Sequence, residues 1–356
     1  MAAGSDRRMI LRGLAFTLAL LGTPLYAGLG DELPGDARAQ VIEFKDLNGW
    51  AEDDHDAALS VFIDTCIDLD EPLWAPLCAL AQQQSSGRAF FELFFRPVLI
   101  ENGTDSLFTA YYEPEIRGSR QQSEIYRYPV YRKPAGIPSG QSWHTRREIE
   151  EGGVLIDRGL EIAWVADPVD LQFLQIQGSG RIRLPDGSAI RLGYAGNNGH
   201  PFKSLGNELV RRGVYNPHQV SQSVIRNWVR RNPVDGHDLL MSNASFVFFR
   251  ELRRMPKHKG PLGAMNRSIT AHRSVAIDPK YTPLGAPVWL EKAGKEPFNR
   301  LMVAQDTGSR VKGAQRADIF WGTGGEAGQL AGEIRDGGRM LVLFPIQRAY
   351  ALEAED

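Results

Sequence analysis

Three aspartates in the last third of the chain stand where a carboxylate could do chemistry. Asp278 follows the apolar run Val-Ala-Ile, Asp306 follows Val-Ala-Gln, and Asp318 precedes Ile-Phe-Trp. A strand can aim such a side chain in a fixed direction. Apolar neighbours raise the pKa of a carboxyl group, which suits a general acid working near neutral pH. Because apolar residues follow Asp318 and no turn residue does, the sequence favours Asp318 as the catalytic acid.

Each of these aspartates also has a structural interpretation, because aspartate often caps turns. That interpretation is as good as a functional one for Asp278, which precedes Pro, and for Asp306, which precedes Thr-Gly. The Asp-Thr-Gly triplet is also found in aspartic proteases, which share one proton between two such loops. The chain has no second Asp-Thr-Gly or Asp-Ser-Gly, so the sequence argues against that chemistry.

Amide and aromatic side chains collect around a Gly-Ser-Gly bend at residues 178–180. Sugars are bound by ring stacking and by amide hydrogen bonds, so this inventory suits an oligosaccharide groove. Glycine lets the backbone at such a bend approach a ligand closely. The bend is expected between strands, and it matches neither a nucleophile elbow nor a dinucleotide fingerprint. The polar and aromatic residues are Tyr111, Tyr112, Gln175, Gln177, Tyr194, Asn197 and Asn198.

Composition and charge restrict the possible partners. The 356 residues are 42% hydrophobic and 24% charged, which is typical of a globular protein with room for more than one domain. The formal net charge of -2 provides no electrostatic footprint for nucleic acid. Two cysteines and seven histidines show no metal-binding spacing, and we expect neither a metal nor a cofactor.

The N-terminal residues differ in character from the rest of the chain. Arg7 and Arg8 precede the apolar run 14–21, and a small residue follows at Ala27. This order predicts a secretory signal peptide over residues 1–27, with an uncleaved membrane anchor as the alternative. We therefore expect an exported, periplasmic protein. Outer-membrane association stays open, although no cysteine lies near the cleavage point to accept a lipid.

Cys66 and Cys78 lie in a stretch with helical spacing of apolar residues. In an oxidising periplasm the two could form a disulfide. They could equally be two buried thiols, because spacing alone does not show that the geometry closes.

Hydrophobic periodicity gives a coarse map of the elements. Helices are expected over residues 55–95, Ser204–Arg212, Gln219–Arg231 and Asn243–Arg253. Strands are expected at Leu107–Tyr112, Tyr128–Arg132, Leu171–Gln177, Arg181–Leu184, Ala189–Tyr194, Ser274–Ile277, Pro287–Glu291, Leu301–Gln305, Ala317–Trp321 and Arg339–Phe344. Asp186-Gly187 predicts a tight hairpin turn. The short C-terminal strands predict a closed or nearly closed small β-barrel.

Seven segments, taken in order, resemble the membrane-bound lytic transglycosylase A family of murein-cleaving enzymes. The resemblance runs from about Phe90 to Phe344, and its last two segments resemble the family's 3D region, named for three aspartates. The segments are Phe-Thr-Ala-Tyr-Tyr-Glu-Pro (108–114), Tyr-Pro-Val-Tyr (128–131), Leu-Gln-Ile-Gln-Gly-Ser-Gly (174–180), Leu-Gly-Tyr-Ala-Gly-Asn-Asn-Gly (192–199), Met-Ser-Asn-Ala-Ser-Phe-Val-Phe-Phe (241–249), Val-Ala-Ile-Asp-Pro-Lys-Tyr-Thr-Pro-Leu-Gly (275–285) and Gln-Asp-Thr-Gly through Asp-Ile-Phe-Trp-Gly (305–322).

The resemblance implies a mainly β fold with some helix, made of two domains with a groove between them. A double-psi β-barrel catalytic domain would comprise residues 28–115 and 241–350, with the 3D region at about 270–345. Residues 116–240 would form an inserted β-rich domain. The implied partners are the glycan strands of peptidoglycan and other cell-wall enzymes, and we expect the protein to act as a monomer.

The resemblance also implies a reaction. A lytic exotransglycosylase, which is a lyase, cleaves the β-1,4 bond between N-acetylmuramic acid and N-acetylglucosamine without water and leaves a 1,6-anhydromuramic acid end. The catalytic acid of the family carries over onto Asp318, which would act as acid and then as base. Asp306, Asp278 and Lys312 are expected to support the site. The hypothesis for saccharide contacts comprises Thr109, Tyr111, Gln177, Ser179, Tyr194 and Asn197.

Two alternatives stay open at the level of sequence. A glycoside hydrolase on a related barrel would need a second carboxylate opposite Asp318, and Glu113 and Asp306 are the candidates. A peptidoglycan-binding protein without activity would need the same groove without a working acid. One residue departs from the family pattern, because Arg310 stands where the family usually has a small or apolar side chain.

Overall fold

The computed structural model describes residues 33–69, 72–137, 141–253, 255–256 and 258–354. The signal peptide expected at residues 1–27 lies outside these ranges. Among the described residues, no helix is both long enough and apolar enough to cross a membrane.

Fifteen strands occur in the described residues. In chain order they are β1 (Arg38–Val41), β2 (Phe95–Glu101), β3 (Leu107–Glu113), β4 (Glu115–Ser119), β5 (Tyr128–Tyr131), β6 (Glu161–Val165), β7 (Gly180–Arg183), β8 (Ala189–Asn197), β9 (Val247–Glu251), β10 (Ser274–Ile277), β11 (Pro287–Lys292), β12 (Phe298–Thr307), β13 (Arg316–Thr323), β14 (Arg335–Asp336) and β15 (Gly338–Pro345).

Ten α-helices accompany them in the same described ranges. They are α1 (His55–Thr65), α2 (Ala75–Ala81), α3 (Gly87–Phe94), α4 (Arg146–Glu150), α5 (Pro168–Gln177), α6 (Leu205–Arg211), α7 (Gln222–Arg231), α8 (Pro233–Met241), α9 (Gly325–Ala331) and α10 (Ile346–Ala354).

The first sheet has nine strands in the order β1-β2-β15-β11-β12-β10-β13-β3-β14. Most neighbours are antiparallel, but β10 pairs with β12 and β13 pairs with β3 in parallel. Side chains alternate between the two faces of a strand. In β11, Val288 and Leu290 accordingly enter one apolar cluster, while Trp289 packs in the other with α1 and α3. Both faces of this sheet are therefore covered, and its central strands are held rigidly.

The second sheet has six strands in the order β5-β6-β4-β7-β8-β9. Its β7–β8 hairpin pairs Ile182 with Ile190, and the turn at Asp186-Gly187 connects the two strands as expected. Strand β9 belongs to this sheet, although the expected limits assign its residues to the catalytic domain. Between residues 116 and 241 the described chain also holds five helices, α4 to α8. The expected domain limits themselves stay a prediction.

The N-terminal helices form an aromatic core under the first sheet. Phe90, Phe91 and Phe95 are fully buried and each contacts Phe62, and Phe95 also contacts Trp74. This confirms the helical pattern expected over 55–95. Cys66 and Cys78 form a disulfide with their Cα atoms 5.5 Å apart, which decides between the two states that the sequence left open.

Two element predictions are wrong. Leu171–Gln177, expected as a strand, lies in helix α5, because Asp167 caps the helix by accepting a hydrogen bond from the amide of Val169 and Pro168 stands in the first turn. The Gly-Ser-Gly bend therefore follows a helix and does not join two strands. Asn243–Arg253, expected as a helix, contains strand β9, whose Val-Phe-Phe run pairs along β8.

Candidate active site

Asp318 lies on β13, directly opposite Thr109 in the parallel pair that β13 forms with β3. The Thr109 hydroxyl donates a hydrogen bond of 2.5 Å to Asp318 Oδ1. On its other side β13 pairs with β10, where Ala276 faces Asp318. The small alanine side chain leaves the space in front of the carboxylate open, and Ala276 lines the same groove as Asp318.

The surroundings of Asp318 favour its protonated form. Burial raises the pKa of this carboxyl group, while the Thr109 hydroxyl and the positive charge of Arg316 oppose the shift. Arg316 stands two residues earlier on the same face of β13, and it donates a hydrogen bond of 2.8 Å to Thr109 Oγ1. Thr109 can thus accept from Arg316 while donating to Asp318, which orients its hydroxyl. Asp318 Oδ2 accepts no hydrogen bond from any residue that the structure describes.

Asp306 lies near the end of β12 in a more crowded hydrogen-bond environment. Its Oδ2 accepts a hydrogen bond of 2.7 Å from the Tyr111 hydroxyl. Its Oδ1 accepts from the backbone amides of Ala264 and Thr307, both at 2.9 Å. Burial raises the pKa of Asp306 to about 6 against these hydrogen bonds, and the nearby charge of Asp318 adds to the rise. Both oxygens of Asp306 are therefore already occupied.

A groove of about 690 Å³ runs along both aspartates, and both sheets supply its walls. Thr109, Tyr111, Asp306 and Asp318 come from the nine-stranded sheet. The opposite wall comes from helix α5, the Gly-Ser-Gly bend and β8, and it contains the remaining predicted saccharide contacts. Those residues are Gln177, Ser179, Tyr194 and Asn197. The structure thus brings all six predicted saccharide contacts and two of the three aspartates to one groove.

The polar residues of the second wall are held in place by local hydrogen bonds. Gln177 Oε1 accepts a hydrogen bond from the backbone amide of Tyr112, which ties α5 to β3. Asn197 Nδ2 donates to the Tyr194 hydroxyl at 2.8 Å. Tyr194 is 48% exposed, so its ring faces the open groove. An exposed tyrosine ring with a fixed hydroxyl can stack on an apolar face of a sugar.

Asp278 and Lys312 correct the expected set of supporting residues. Neither lines the groove. Asp278 is buried and accepts a hydrogen bond from the backbone amide of Gly313, and Lys312 Nζ lies 3.6 Å from Asp278 Oδ1. They therefore hold the loop between β12 and β13 and do not contact the groove. The family resemblance implied a supporting role for both residues, but the Asp278 side chain packs on this loop and does not face the groove.

Two segments of the chain match known domain families. The MltA specific insert domain matches residues 107–250, and the 3D domain matches residues 273–344. Membrane-bound lytic murein transglycosylase A of Vibrio cholerae is 32% identical over 265 residues, which cover 70% of this chain and 69% of that protein. This chain belongs to the membrane-bound lytic murein transglycosylase A family.

Two further comparisons, with a sequence and with a crystal structure of Escherichia coli members of this family, also show similarity to this chain. The protein named membrane-bound lytic murein transglycosylase A from Escherichia coli K12 is 36% identical over 244 residues, which cover 66% of this chain and 65% of that protein, just under two thirds of its length. The crystal structure of E. coli MltA with bound chitohexaose has a TM-score of 0.71 and 28% identity to this chain. The structural match covers 86% of this chain and 94% of the E. coli chain.

Sequence reasoning missed two residues that line the groove of this family member, Arg146 and Gln172, and it named Gln175 only as one of the polar residues around the Gly-Ser-Gly bend. Arg146, the first residue of α4, is fully buried and donates to the backbone carbonyl of Asn243 and to Gln175 Oε1. Gln172 and Gln175 share a face of α5, three residues apart. Interpreting this segment as a strand hid that spacing. The one signal in the sequence for Arg146 was Thr145-x-x-Glu148. This capping box begins α4 and makes Arg146 the first residue of the helix.

Glu113 is not positioned as a second catalytic carboxylate in this family member. It is buried, and it accepts hydrogen bonds from Arg181 and Thr323, each at 2.8 Å, and from Arg191 at 3.2 Å. Arg181 and Arg191 belong to the six-stranded sheet, whereas Glu113 ends β3 of the nine-stranded sheet. Glu113 therefore links the two sheets through its ion pairs with Arg181 and Arg191, and it does not line the groove.

Proposed function

We propose that this chain is a peptidoglycan lytic transglycosylase with Asp318 as its single acid and base. The observation that carries the proposal is the environment of Asp318, which lines the groove and has a partly buried carboxyl with a raised pKa. Among the described residues, Thr109 alone donates a hydrogen bond to it. Such a group is protonated at higher pH than an ordinary aspartate and keeps one oxygen available for a substrate. The family to which the chain belongs supports the same reaction.

The reaction needs no second carboxylate. Asp318 donates its proton to the glycosidic oxygen, and the bond between that oxygen and the anomeric carbon of N-acetylmuramic acid breaks. The C6 hydroxyl of the same sugar attacks the anomeric carbon, and the Asp318 carboxylate takes the hydroxyl proton. The products are a 1,6-anhydromuramic acid end and a free N-acetylglucosamine 4-hydroxyl, and Asp318 is again protonated. A raised pKa keeps such a carboxyl group protonated near neutral pH, so that it can donate a proton in this type of reaction.

Asp306 suits a supporting role better than an acid role. Three hydrogen bonds already occupy its two oxygens, and Tyr111 and two backbone amides hold it in place. Two neighbouring carboxyl groups raise each other's pKa, because the charge of one ionised group disfavours ionisation of the second. In this proposal Asp306 keeps negative charge near Asp318 and positions Tyr111, whose ring packs on Phe320 with the ring centroids 5.4 Å apart.

The sugar-binding wall would comprise Gln177, Ser179, Tyr194 and Asn197, with Thr109 and Tyr111 opposite. Amides, hydroxyls and an exposed ring are the groups by which proteins bind oligosaccharides, and the bound chitohexaose in the E. coli relative supports this assignment.

The finer points of architecture and location belong to the same proposal. The nine-stranded sheet, with two parallel pairs among antiparallel neighbours, would form a double-psi β-barrel that carries the catalytic aspartates. The second sheet and helices α4 to α8 would be the inserted domain. We further propose that residues 1–27 direct export, and that the protein acts as a monomer in the periplasm on glycan strands, alongside other cell-wall enzymes.

The test is to digest purified murein sacculi and identify the new end-groups by mass spectrometry. Anhydromuramic ends support the proposal, whereas reducing ends would indicate a hydrolase and no release would indicate a binding protein. Asp318→Asn should abolish release while keeping its melting temperature, with the exposed Asp36→Asn as the matched control. Wild-type activity in Asp318→Asn would refute the assigned role.

A further inference from the structure

A second cavity of about 270 Å³ opens beside the groove, and Phe202 and Arg310 line both spaces. Its other walls come from the segment that leads into α6 and from α6 itself. The charged residues of this second cavity are three cations, Lys203, Arg211 and Arg310, against one anion, Glu208. The cavity is therefore cationic, although the whole chain has a formal net charge of -2.

The charges of α6 leave an excess of positive charge in this cavity. Glu208 is buried and lies 2.6 Å from Arg211, 2.9 Å from Arg212 and 3.1 Å from Lys203. Hydrogen bonds from these neighbours, foremost Arg211, lower the pKa of Glu208 and keep it ionised. Arg212 also pairs with Asp238 and does not line the cavity. Glu208 thus faces two cations of the cavity, Lys203 and Arg211, which keep more than half of their side chains exposed.

Arg310 approaches the same cavity from the other sheet. It lies in the turn after β12, is exposed, and forms no hydrogen bond or ion pair with any residue that the structure describes. Arg310 follows Asp306 by four residues, so their Cα atoms lie at most about 14 Å apart. An unpaired guanidinium at this distance from Asp306 can bind an anionic part of the substrate.

We propose that this cationic cavity binds the carboxylates of the stem peptide that peptidoglycan carries on each muramic acid. The proposal rests on the proposed function, because it assigns a peptide-bearing glycan to the groove. The glycan backbone is uncharged where its lactyl groups are amide-linked, so the anionic part of this polymer lies in its short peptides. An extended peptide of three to five residues spans about 10–18 Å, so a stem peptide on a sugar beside Asp306 is long enough to reach Arg310, whose Cα atom lies at most about 14 Å from that of Asp306.

The experiment compares two substrates that differ only in the peptide. Glycan strands with intact stem peptides and the same strands stripped by an amidase are digested at low salt, and kcat/KM for the release of anhydro ends is measured on each. The wild type should prefer the peptide-bearing strands. Arg310→Gln should lower the ratio of the two kcat/KM values about three- to fivefold, as expected for an exposed ion pair. The matched control is Arg38→Gln, on edge strand β1 outside both cavities, which should keep the wild-type ratio.

Salt and direct binding complete the test. The preference should decline towards 1 M salt, where the Debye length falls to about 3 Å. Free stem tripeptide, followed by ligand-observed NMR, should bind the wild type more tightly than Arg310→Gln. An unchanged ratio in Arg310→Gln, or equal losses on both substrates, would overturn the inference. If the wild type releases no anhydro ends from either substrate, the proposed function fails, and the tripeptide titration still decides whether the cavity binds carboxylates.

Discussion

The hydroxyl of Thr109 donates to Asp318 Oδ1 at 2.5 Å across two paired parallel strands, although the two residues are 209 positions apart in the chain. The backbone register of β3 and β13 fixes this contact, and Arg316 fixes the direction of the hydroxyl from the other side. The proposed acid is therefore positioned by rigid strands, as precise proton transfer requires.

Thr109→Val should test this contact. Valine keeps the shape and removes the hydroxyl that stabilises the Asp318 carboxylate, so the pKa of Asp318 should rise further. The proposed acid acts when protonated, and kcat/KM falls as the pH rises through that pKa. The basic limb of the pH profile should accordingly move to higher pH, and kcat should fall roughly ten- to hundredfold because the acid is less well positioned. Thr109→Ser should restore both. A Thr109→Val enzyme with an unshifted limb would contradict the role of the hydroxyl.

Asp306→Asn should change the pH dependence of stability. The folded pKa of about 6 lies above the ordinary value of 3.8, so the native state holds the proton over a window in which the unfolded state releases it. The contribution of Asp306 to the free energy of unfolding is thus lost as the pH rises from about 4 to 6. The free energy of unfolding of the variant, measured relative to the wild type, should therefore increase by about 1–2 kcal/mol from pH 4 to pH 7. This value is discounted because Asp306 is partly exposed. Urea unfolding at both pH values measures it, with Asp36→Asn as the control, and a pH-independent difference would refute it.

Glu113→Gln should destabilise the fold without changing the chemistry. The substitution leaves Arg181 and Arg191 without the charge of their buried partner, which typically costs about 3–5 kcal/mol. We expect a clearly lower melting temperature and unchanged anhydro products at temperatures where the variant is folded. The neighbouring Glu115→Gln, which affects a more exposed pair with Arg183, should cost about 1 kcal/mol or less. Loss of all activity in a folded Glu113→Gln enzyme would instead favour the hydrolase with two carboxylates.

Replacing both cysteines by serine should lower stability and preserve activity. The Cys66–Cys78 disulfide closes a loop with a sequence separation of 12, for which the chain-entropy account gives about 3 kcal/mol. Neither cysteine lines the groove, so kcat/KM should stay within about twofold of the wild type below the transition. Denaturant unfolding of the wild type with and without reductant measures the same quantity. Equal midpoints would show that the crosslink contributes nothing.

Local pattern was a good guide where neighbours in the chain decide the structure. The β7–β8 hairpin was predictable because Asp186-Gly187 provides a tight turn between two alternating strands. Helix α5 was not, because Leu171–Gln177 alternates well enough to suit a strand. Its helical state depends on the cap at Asp167 and on burial against the second sheet. Strand β9 was mistaken for a helix for the converse reason, since only pairing with β8 makes it a strand.

The amino-acid sequence by itself determined the family resemblance, the preference for Asp318 over Asp306 and the set of polar and aromatic residues suited to sugars. Only the tertiary structure decided which of these residues meet. It brought Thr109 to Asp318 and Tyr111 to Asp306, paired Asp278 with Lys312 outside the groove, and turned Glu113 into a link between the sheets. The physical reason is that strand order and register join segments hundreds of residues apart, and local periodicity carries no information about which strands become neighbours.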